Sequence, residues 1–82
     1  MDESYWALHF EEQEHPRHRY RPRVRVYGPG FDPVRLQQEC DRMNNQGHAG
    51  TSPNSCRARN AWLDEVDKNE AIRLFTIERS QS

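Results

Sequence analysis

Two short segments in which apolar and polar side chains alternate place the strongest limit on how this chain can fold. They are residues 5–12 and 23–27. The side chains expected to face the core in them are Trp6, Leu8, Phe10, Val24 and Val26. Alternation with period two is typical of strands that bury one face. The connection, residues 13–22, contains Pro16 and Pro22, so we predict a hairpin with a long turn.

A helix is predicted directly after this hairpin. Asp32 is a good N-cap residue, and Pro33 suits the first helical position. One helical face is formed by Leu36, Cys40 and Met43. We expect the helix to end within residues 44–47, where asparagines and a glycine follow each other. Residues 44–54 are polar and lack apolar periodicity, and they predict a flexible loop.

The second half of the chain is harder to assign. A second helix, capped at Ser52-Pro53 or at Ser55, is predicted to run to about Val66. Its apolar face is formed by Ala58, Ala61, Trp62 and Val66. A turn is expected at residues 67–69. Residues 72–78 are rich in β-branched and aromatic side chains and predict a third strand.

A terminal helix from Glu70 is the competing interpretation of the last segment, because short apolar runs do not separate strand from helix. Residues 79–82 are expected to be a frayed tail. Together the elements predict one α+β domain over residues 1–82, with the order β-β-α-α-β. The expected architecture is a small three-stranded, mainly antiparallel sheet with two helices on one face. The expected core is Trp6, Leu8, Phe10, Val24, Val26, Leu36, Met43, Trp62, Val66 and Leu74, with Ile72 as a further candidate.

The composition limits what such a domain can do. A chain of 82 residues, of which 33% are hydrophobic, buries only about 60–65% of its unfolded surface. Little room is left for a water-excluding cleft, and we expect no enzyme. No apolar run is long enough to cross a membrane. The acidic start at Met1 does not resemble a signal peptide, which favours the cytoplasm and free thiols at Cys40 and Cys56.

Charge is distributed very unevenly along the hairpin. The first fourteen residues carry acids and no Lys or Arg, whereas every second residue from Arg17 to Arg25 is Arg. An extended chain would space these guanidinium groups about 6.6–7 Å apart on one face, close to the spacing of phosphates on an extended nucleic-acid strand. The alternative is that Glu11, Glu12 and Glu14 pair with Arg17, Arg19 and Arg21 across the hairpin. The candidate partner-binding residues are Arg17, Arg19, Tyr20, Arg21, Arg23, Arg25 and Tyr27.

Metal, cofactor and nucleophile motifs are weak in this sequence. The residues that could hold zinc are His15, His18, Cys40, His48 and Cys56. They lack the close pairs that zinc sites use. An EF-hand pattern begun at Glu65 fails, because Glu70 stands where glycine is required. We therefore predict no metal ion, no cofactor and no catalytic residue, and keep a zinc-stabilised structural domain only as an alternative.

These observations favour a small protein-binding module that acts through the charged hairpin and a sheet edge. Its size resembles that of small bacterial or phage accessory proteins, many of which inhibit one large target, anti-CRISPR proteins among them. A nucleic-acid-binding protein that uses Arg17–Arg25 is the alternative. Homodimerisation through an open sheet edge also stays open.

Overall fold

The computed structural model describes residues 3–52 and 54–81. Three strands and two helices follow each other in the order β-β-α-β-α. The elements are β1 Tyr5–Gln13, β2 Arg21–Tyr27, α1 Pro33–Gln46, β3 Arg57–Val66 and α2 Lys68–Ser80. The strands form one antiparallel sheet in the order β2-β1-β3. The predicted α+β class and three-stranded sheet are confirmed.

The hairpin and the first helix form where the sequence predicts them. β1 and β2 pair antiparallel, with His9 opposite Val24 and Leu8 opposite Arg25. The Asp32 side chain accepts a hydrogen bond from the Val34 N–H at 2.9 Å and caps α1. Gly47, with φ 75°, ends the helix. The asparagines predicted to end α1 lie inside its last turn, so the predicted loop of residues 44–54 begins three residues late.

The second half corrects the predicted order of elements. Residues 57–66 form β3 instead of a helix. Residues 68–80 form α2, so the third strand predicted at residues 72–78 is wrong and the competing interpretation, a terminal helix, is correct. A β-bulge shifts the register of β3 between the partners of His9 and Glu11, where Asn60 has φ 53°. The extra residue places Ala58 and Ala61 on the same sheet face three positions apart. A spacing of three between residues on one face is also typical of a helix, which is why the sequence pattern predicted a helix here.

The start of α2 carries a signal that the turn prediction overlooked. Asp67 caps the helix by accepting a hydrogen bond from the Glu70 N–H at 2.8 Å. An acid three residues after an N-cap residue is a known helix-start pattern. The helix continues to Ser80, and the Gln81 side chain bonds to Val24. Residues 79 and 80 of the predicted tail thus belong to α2, and Gln81 caps it. The predicted cap at Pro53 and the last tail residue, Ser82, lie outside the described residues.

The two helices lie on opposite faces of the sheet, which corrects the prediction of one shared face. Neighbouring β1 residues point to opposite faces. Leu8 packs with residues of α1, and Ala7 packs with residues of α2. We call these sides the α1 face and the α2 face. α1 packs mainly on β3 and α2 mainly on β2, so half of each face carries no helix.

The core is therefore two thin layers instead of one. Leu8, Phe10 and Met43 are buried on the α1 face, together with Cys40. Val24, Val66 and Leu74 are buried on the α2 face. Two expected core residues are exposed, Trp62 at 52% and Ile72 at 57%, and two more, Trp6 and Val26, are only half-buried. Trp62 stands on the half of the α2 face that α2 leaves open.

Candidate interaction site at the sheet edge

The arginines of the hairpin do not form one continuous ribbon. Residues 14–18 turn, with the His18 N–H donating to the His15 carbonyl at 2.8 Å. Arg17 and Arg19 belong to this connection and are exposed. The remaining three, Arg21, Arg23 and Arg25, alternate along β2 on the α1 face. The expected row of five is thus a row of three beside an exposed turn.

Part of the charge in this row is neutralised within the hairpin. Arg23 contacts the carboxylates of Glu12 and Glu14, each at 3.1 Å. Its side chain is only 12% exposed. Arg25 lies over the ring of Phe10, 5.0 Å from the centroid. Cross-strand ion pairs do form in the hairpin, but they join Glu12 and Glu14 to Arg23 instead of to Arg17, Arg19 or Arg21. Glu11 pairs with Arg59 of β3.

The two tyrosines of the predicted site lie on opposite faces. The Tyr20 ring is covered by the guanidinium of Arg59, whose central carbon is 3.8 Å from the ring centroid. Tyr27 contacts Phe31 edge to face, with centroids 4.9 Å apart. Tyr20 reaches toward β3 on the α2 face, whereas Tyr27 lies opposite Trp6 on the α1 face. The structure therefore does not bring the seven predicted site residues together.

The outer edge of β2 is closed at every second residue. Pro22 has no N–H to offer. The Gln81 side-chain amide accepts from the Val24 N–H at 2.9 Å and donates to the Val24 carbonyl at 3.1 Å. The Glu78 carboxylate accepts from the Val26 N–H at 2.6 Å. At these three outward-pointing positions of β2 the N–H group is absent or already bonded, and a strand that paired at Val24 or Val26 would have to displace side chains of α2 and its C-cap.

The outer edge of β3 is closed only in its first half. The Ala58 N–H donates to the Gly47 carbonyl at 2.9 Å. The Asn44 side-chain amide accepts from the Ala61 N–H at 2.8 Å and donates to the Ala61 carbonyl at 3.0 Å. Asn44 thus bonds both backbone groups of an edge residue of β3, as Gln81 does for an edge residue of β2.

The second half of that edge is open. Backbone groups point outward at alternate residues, so after Ala61 the outward positions are Leu63 and Glu65. Among residues 3–52 and 54–81 no group bonds to their N–H or carbonyl groups across this edge. We call residues 62–66 of β3 the free edge.

An aromatic stack stands beside the free edge on the α2 face. The rings of His9 and Trp62, which are direct cross-strand neighbours, lie 4.3 Å apart and 11° from parallel. Burial under this stack lowers the pKa of His9, while Asp64 and Glu70 oppose the shift. The stack fixes the plane of an exposed indole, and Trp is among the residues that dominate binding energy at protein interfaces.

A hydrogen-bonded cluster holds the bulge next to this stack. One oxygen of Glu11 accepts from the Asn60 amide at 2.7 Å and from Arg59 Nε at 3.0 Å. These two bonds lower the pKa of Glu11, Asn60 contributing most. Asn tolerates a positive φ better than most residues. The cluster sets the offset at which Trp62 faces His9.

Metal ligands are not assembled in the described part of the chain. No three His, Cys, Asp or Glu side chains in it approach each other closely enough to hold a metal ion. Of the candidates, Cys40 is buried in the core, where burial raises the pKa of its thiol. His48 Nδ1 lies 3.1 Å from the Ser55 carbonyl. Within residues 3–52 and 54–81, no helix has the length and apolar character needed to cross a membrane.

Comparison of the chain with protein-family models, with curated proteins and with solved structures gave no match. The function must therefore be argued from the geometry. Sequence reasoning had named a sheet edge as a binding site, but it placed the third strand at residues 72–78. The free edge could have been found from the helix-start pattern at Asp67 and Glu70, which moves the last helix after residue 67 and leaves residues 57–66 for a strand.

Proposed function

We propose that this chain is a small non-catalytic protein-binding module that takes up an extended segment of its partner on the free edge of β3. The partner strand would extend the sheet beyond β3 and bond to Leu63 and Glu65. This mode of recognition draws affinity from main-chain hydrogen bonds and specificity from the side chains alongside them. Action as an inhibitor or accessory protein in the cytoplasm of a bacterium, including a phage-infected one, belongs to the same proposal.

The contrast between the two sheet edges carries the proposal. Proteins protect edge strands because an exposed edge templates pairing with other chains. Here β2 is closed at all three outward positions, by Pro22, Glu78 and Gln81. β3 is closed at Ala58 and Ala61 and then left open beside a half-exposed Trp62. Because the rest of both sheet edges is closed, the open half of the β3 edge is better explained as a binding site for another chain than as an edge left unprotected by chance.

The charged hairpin is a separate surface and contributes less to the proposal. Its turn lies at the other end of β1 from the free edge. Along β1, Ala7 beside the free edge and Gln13 beside the turn are six residue steps apart, which is about 20 Å at ~3.3 Å per step. A short strand on the free edge would not reach Arg17 or Arg19. These arginines would matter only to a larger partner that spans the sheet.

Nucleic-acid binding has less support as a second function. Two of the three arginines on β2 are already engaged, Arg23 by carboxylates and Arg25 by Phe10. Tyr20, a predicted stacking residue, has one ring face covered by Arg59. The net charge of the chain is −1, and non-specific phosphate binding relies on surplus positive charge.

The test compares two variants of the same chain. Glu65→Pro removes an outward N–H of β3 without removing a bond between β3 and β1. Proline is tolerated at such edge positions, as Pro22 illustrates on β2. The matched control replaces Arg17, Arg19 and Arg21 with Ser. A partner captured from bacterial lysate is purified, and its Kd is measured for each variant by calorimetry.

We expect Glu65→Pro to weaken binding at least tenfold and the arginine variant to bind within threefold of the wild type. Thermal unfolding of each variant confirms that it is folded before binding is compared. Binding that is unchanged by Glu65→Pro, or that disappears with the arginines, overturns the proposal. Affinity for mixed DNA or RNA that weakens steeply above about 50 mM salt would point to the nucleic-acid function instead.

A further inference from the structure

Charge along the second half of β3 is strongly one-sided. Between residues 60 and 72 the acidic side chains are Asp64, Glu65, Asp67 and Glu70, against Lys68 alone as a basic one. Glu70 is bonded to Arg73. Asp64 and Glu65 are the two that stand on the free edge itself, and they point to opposite faces of the sheet. A strand added there would have a carboxylate beside it on either face.

This acidity argues against a second copy of the chain as the occupant. Two free edges that used both Leu63 and Glu65 would pair antiparallel about a twofold axis at Asp64. That arrangement sets the two Asp64 side chains directly opposite each other, where neighbouring Cα atoms are about 4.5 Å apart. Like charges directly opposite on neighbouring strands are destabilising. The free edge can therefore pair with a strand of another protein, whereas pairing with the free edge of a second copy is disfavoured.

The stack on Trp62 adds a second requirement. His9 and Trp62 stack along the direction in which strands follow each other, with a 4.3 Å separation. Neighbouring strands are spaced by about 4.7–4.9 Å. The residue opposite Trp62 on an added strand would therefore stand where a third ring of the same stack belongs. A flat side chain, aromatic or Arg, fits this position best.

We infer, on the basis of the proposed function, that the free edge of β3 selects a basic extended segment with a flat side chain opposite Trp62. On an antiparallel segment the register is specific. A Lys or Arg faces Glu65, a second one faces Asp64, an apolar residue faces Leu63, and the flat residue faces Trp62. The partner sequence is thus two adjacent basic residues, then an apolar residue, then an aromatic residue or Arg.

A displayed library of random peptides tests this inference without knowledge of the natural partner. The library is selected on the wild-type chain, and the selected peptides are then measured on three variants and one control. Glu65→Pro, compared with a Glu65→Gln control that loses the same charge but keeps the N–H, reports use of the edge. The double variant Asp64→Lys with Glu65→Lys reverses its charge and keeps every backbone N–H. Trp62→Leu removes the stacking surface. Melting temperatures show that each variant is folded.

We expect the enriched peptides to share the basic, apolar and flat pattern. Their binding should fall at least tenfold on Glu65→Pro and on the charge-reversed variant, which should instead enrich acidic peptides. Trp62→Leu should remove the preference for the flat residue and keep the preference for basic ones. Edge-dependent peptides without basic enrichment would overturn the inference and leave the proposed function standing. Peptides indifferent to Glu65→Pro, or no enrichment at all, would overturn the proposed function itself.

Discussion

The side-chain amide of Gln81 bonds to both backbone groups of Val24, 57 residues earlier in the chain, and so takes the place of a neighbouring strand. The amide group offers a donor and an acceptor side by side, as a backbone peptide does. Closure of the β2 edge therefore depends on one side chain at the end of α2. Loss of that side chain should change association as well as stability.

Replacement of Gln81 with Ala should expose the β2 edge at Val24. Two hydrogen bonds are lost, each of which contributes about 0.5–1.5 kcal/mol, so we expect the free energy of unfolding to fall by about 1–3 kcal/mol. Exposed edges also favour pairing between molecules. Denaturant unfolding and sedimentation velocity measure the two effects. Gln38→Ala, an exposed change on α1, is the control and should alter neither.

Replacement of Asn44 with Ala should have the same kind of effect at β3. Ala61 would lose both bonds at the outer edge, which lengthens the free edge by one outward position. We expect a loss of about 1–3 kcal/mol and faster hydrogen exchange at the Ala61 amide. The neighbouring Asn45→Ala is the matched control. Equal exchange at Ala61 in the two variants would contradict the role of Asn44.

Truncation of Leu8 should cost much more stability than truncation of Trp62, although both residues are expected in the core from the sequence. Leu8 is fully buried, so Leu8→Ala should cost about 2–5 kcal/mol. Trp62 is 52% exposed, so Trp62→Ala should cost less than half as much despite its larger ring. Chemical denaturation of both variants measures the difference. A larger loss for Trp62→Ala would mean that the indole is buried in solution.

The bulge in β3 makes Asn60 sensitive to backbone shape. Asn60→Gly keeps the positive φ accessible at no steric cost but loses the bond to Glu11. Asn60→Val loses the same bond and adds a β-branched side chain that disfavours this conformation. We therefore expect Val to be less stable than Gly by about 1–2 kcal/mol. Equal unfolding midpoints for the two variants would show that backbone strain at residue 60 does not affect the stability of the fold.

Acidification should weaken the fold through His9 first. Burial holds the pKa of His9 in the folded chain below its ordinary value, so the unfolded chain binds the proton more readily. This contribution to stability is complete above pH of about 6.5 and is lost as the pH falls toward the folded pKa. NMR titration of the His9 ring measures it. Trp62→Ala should raise this pKa by exposing the ring, and Asp64→Asn should lower it further.

The sequence carried enough local information for the first half of the molecule. Strict alternation in β1 and the cap residues Asp32 and Gly47 are local signals, because they depend only on residues close together in the sequence. The interpretation failed at β3, because the bulge at Asn60 shifts the strand by one residue and produces helical spacing. It also failed to separate the two sheet faces, since alternation shows that faces differ but not which helix covers each.

What the sequence by itself determined is therefore the class of the fold, the hairpin, and the first helix with its caps. Which edge of the sheet is closed was decided only by the tertiary structure. Its bonds join Gln81 to Val24 and Asn44 to Ala61, residues 57 and 17 positions apart. Local spacing contains no record of such pairs, because it is the packing of the helices on the sheet that holds those side chains at its edges. The free edge beside Trp62 is the part of the sheet edge that neither of these side chains covers.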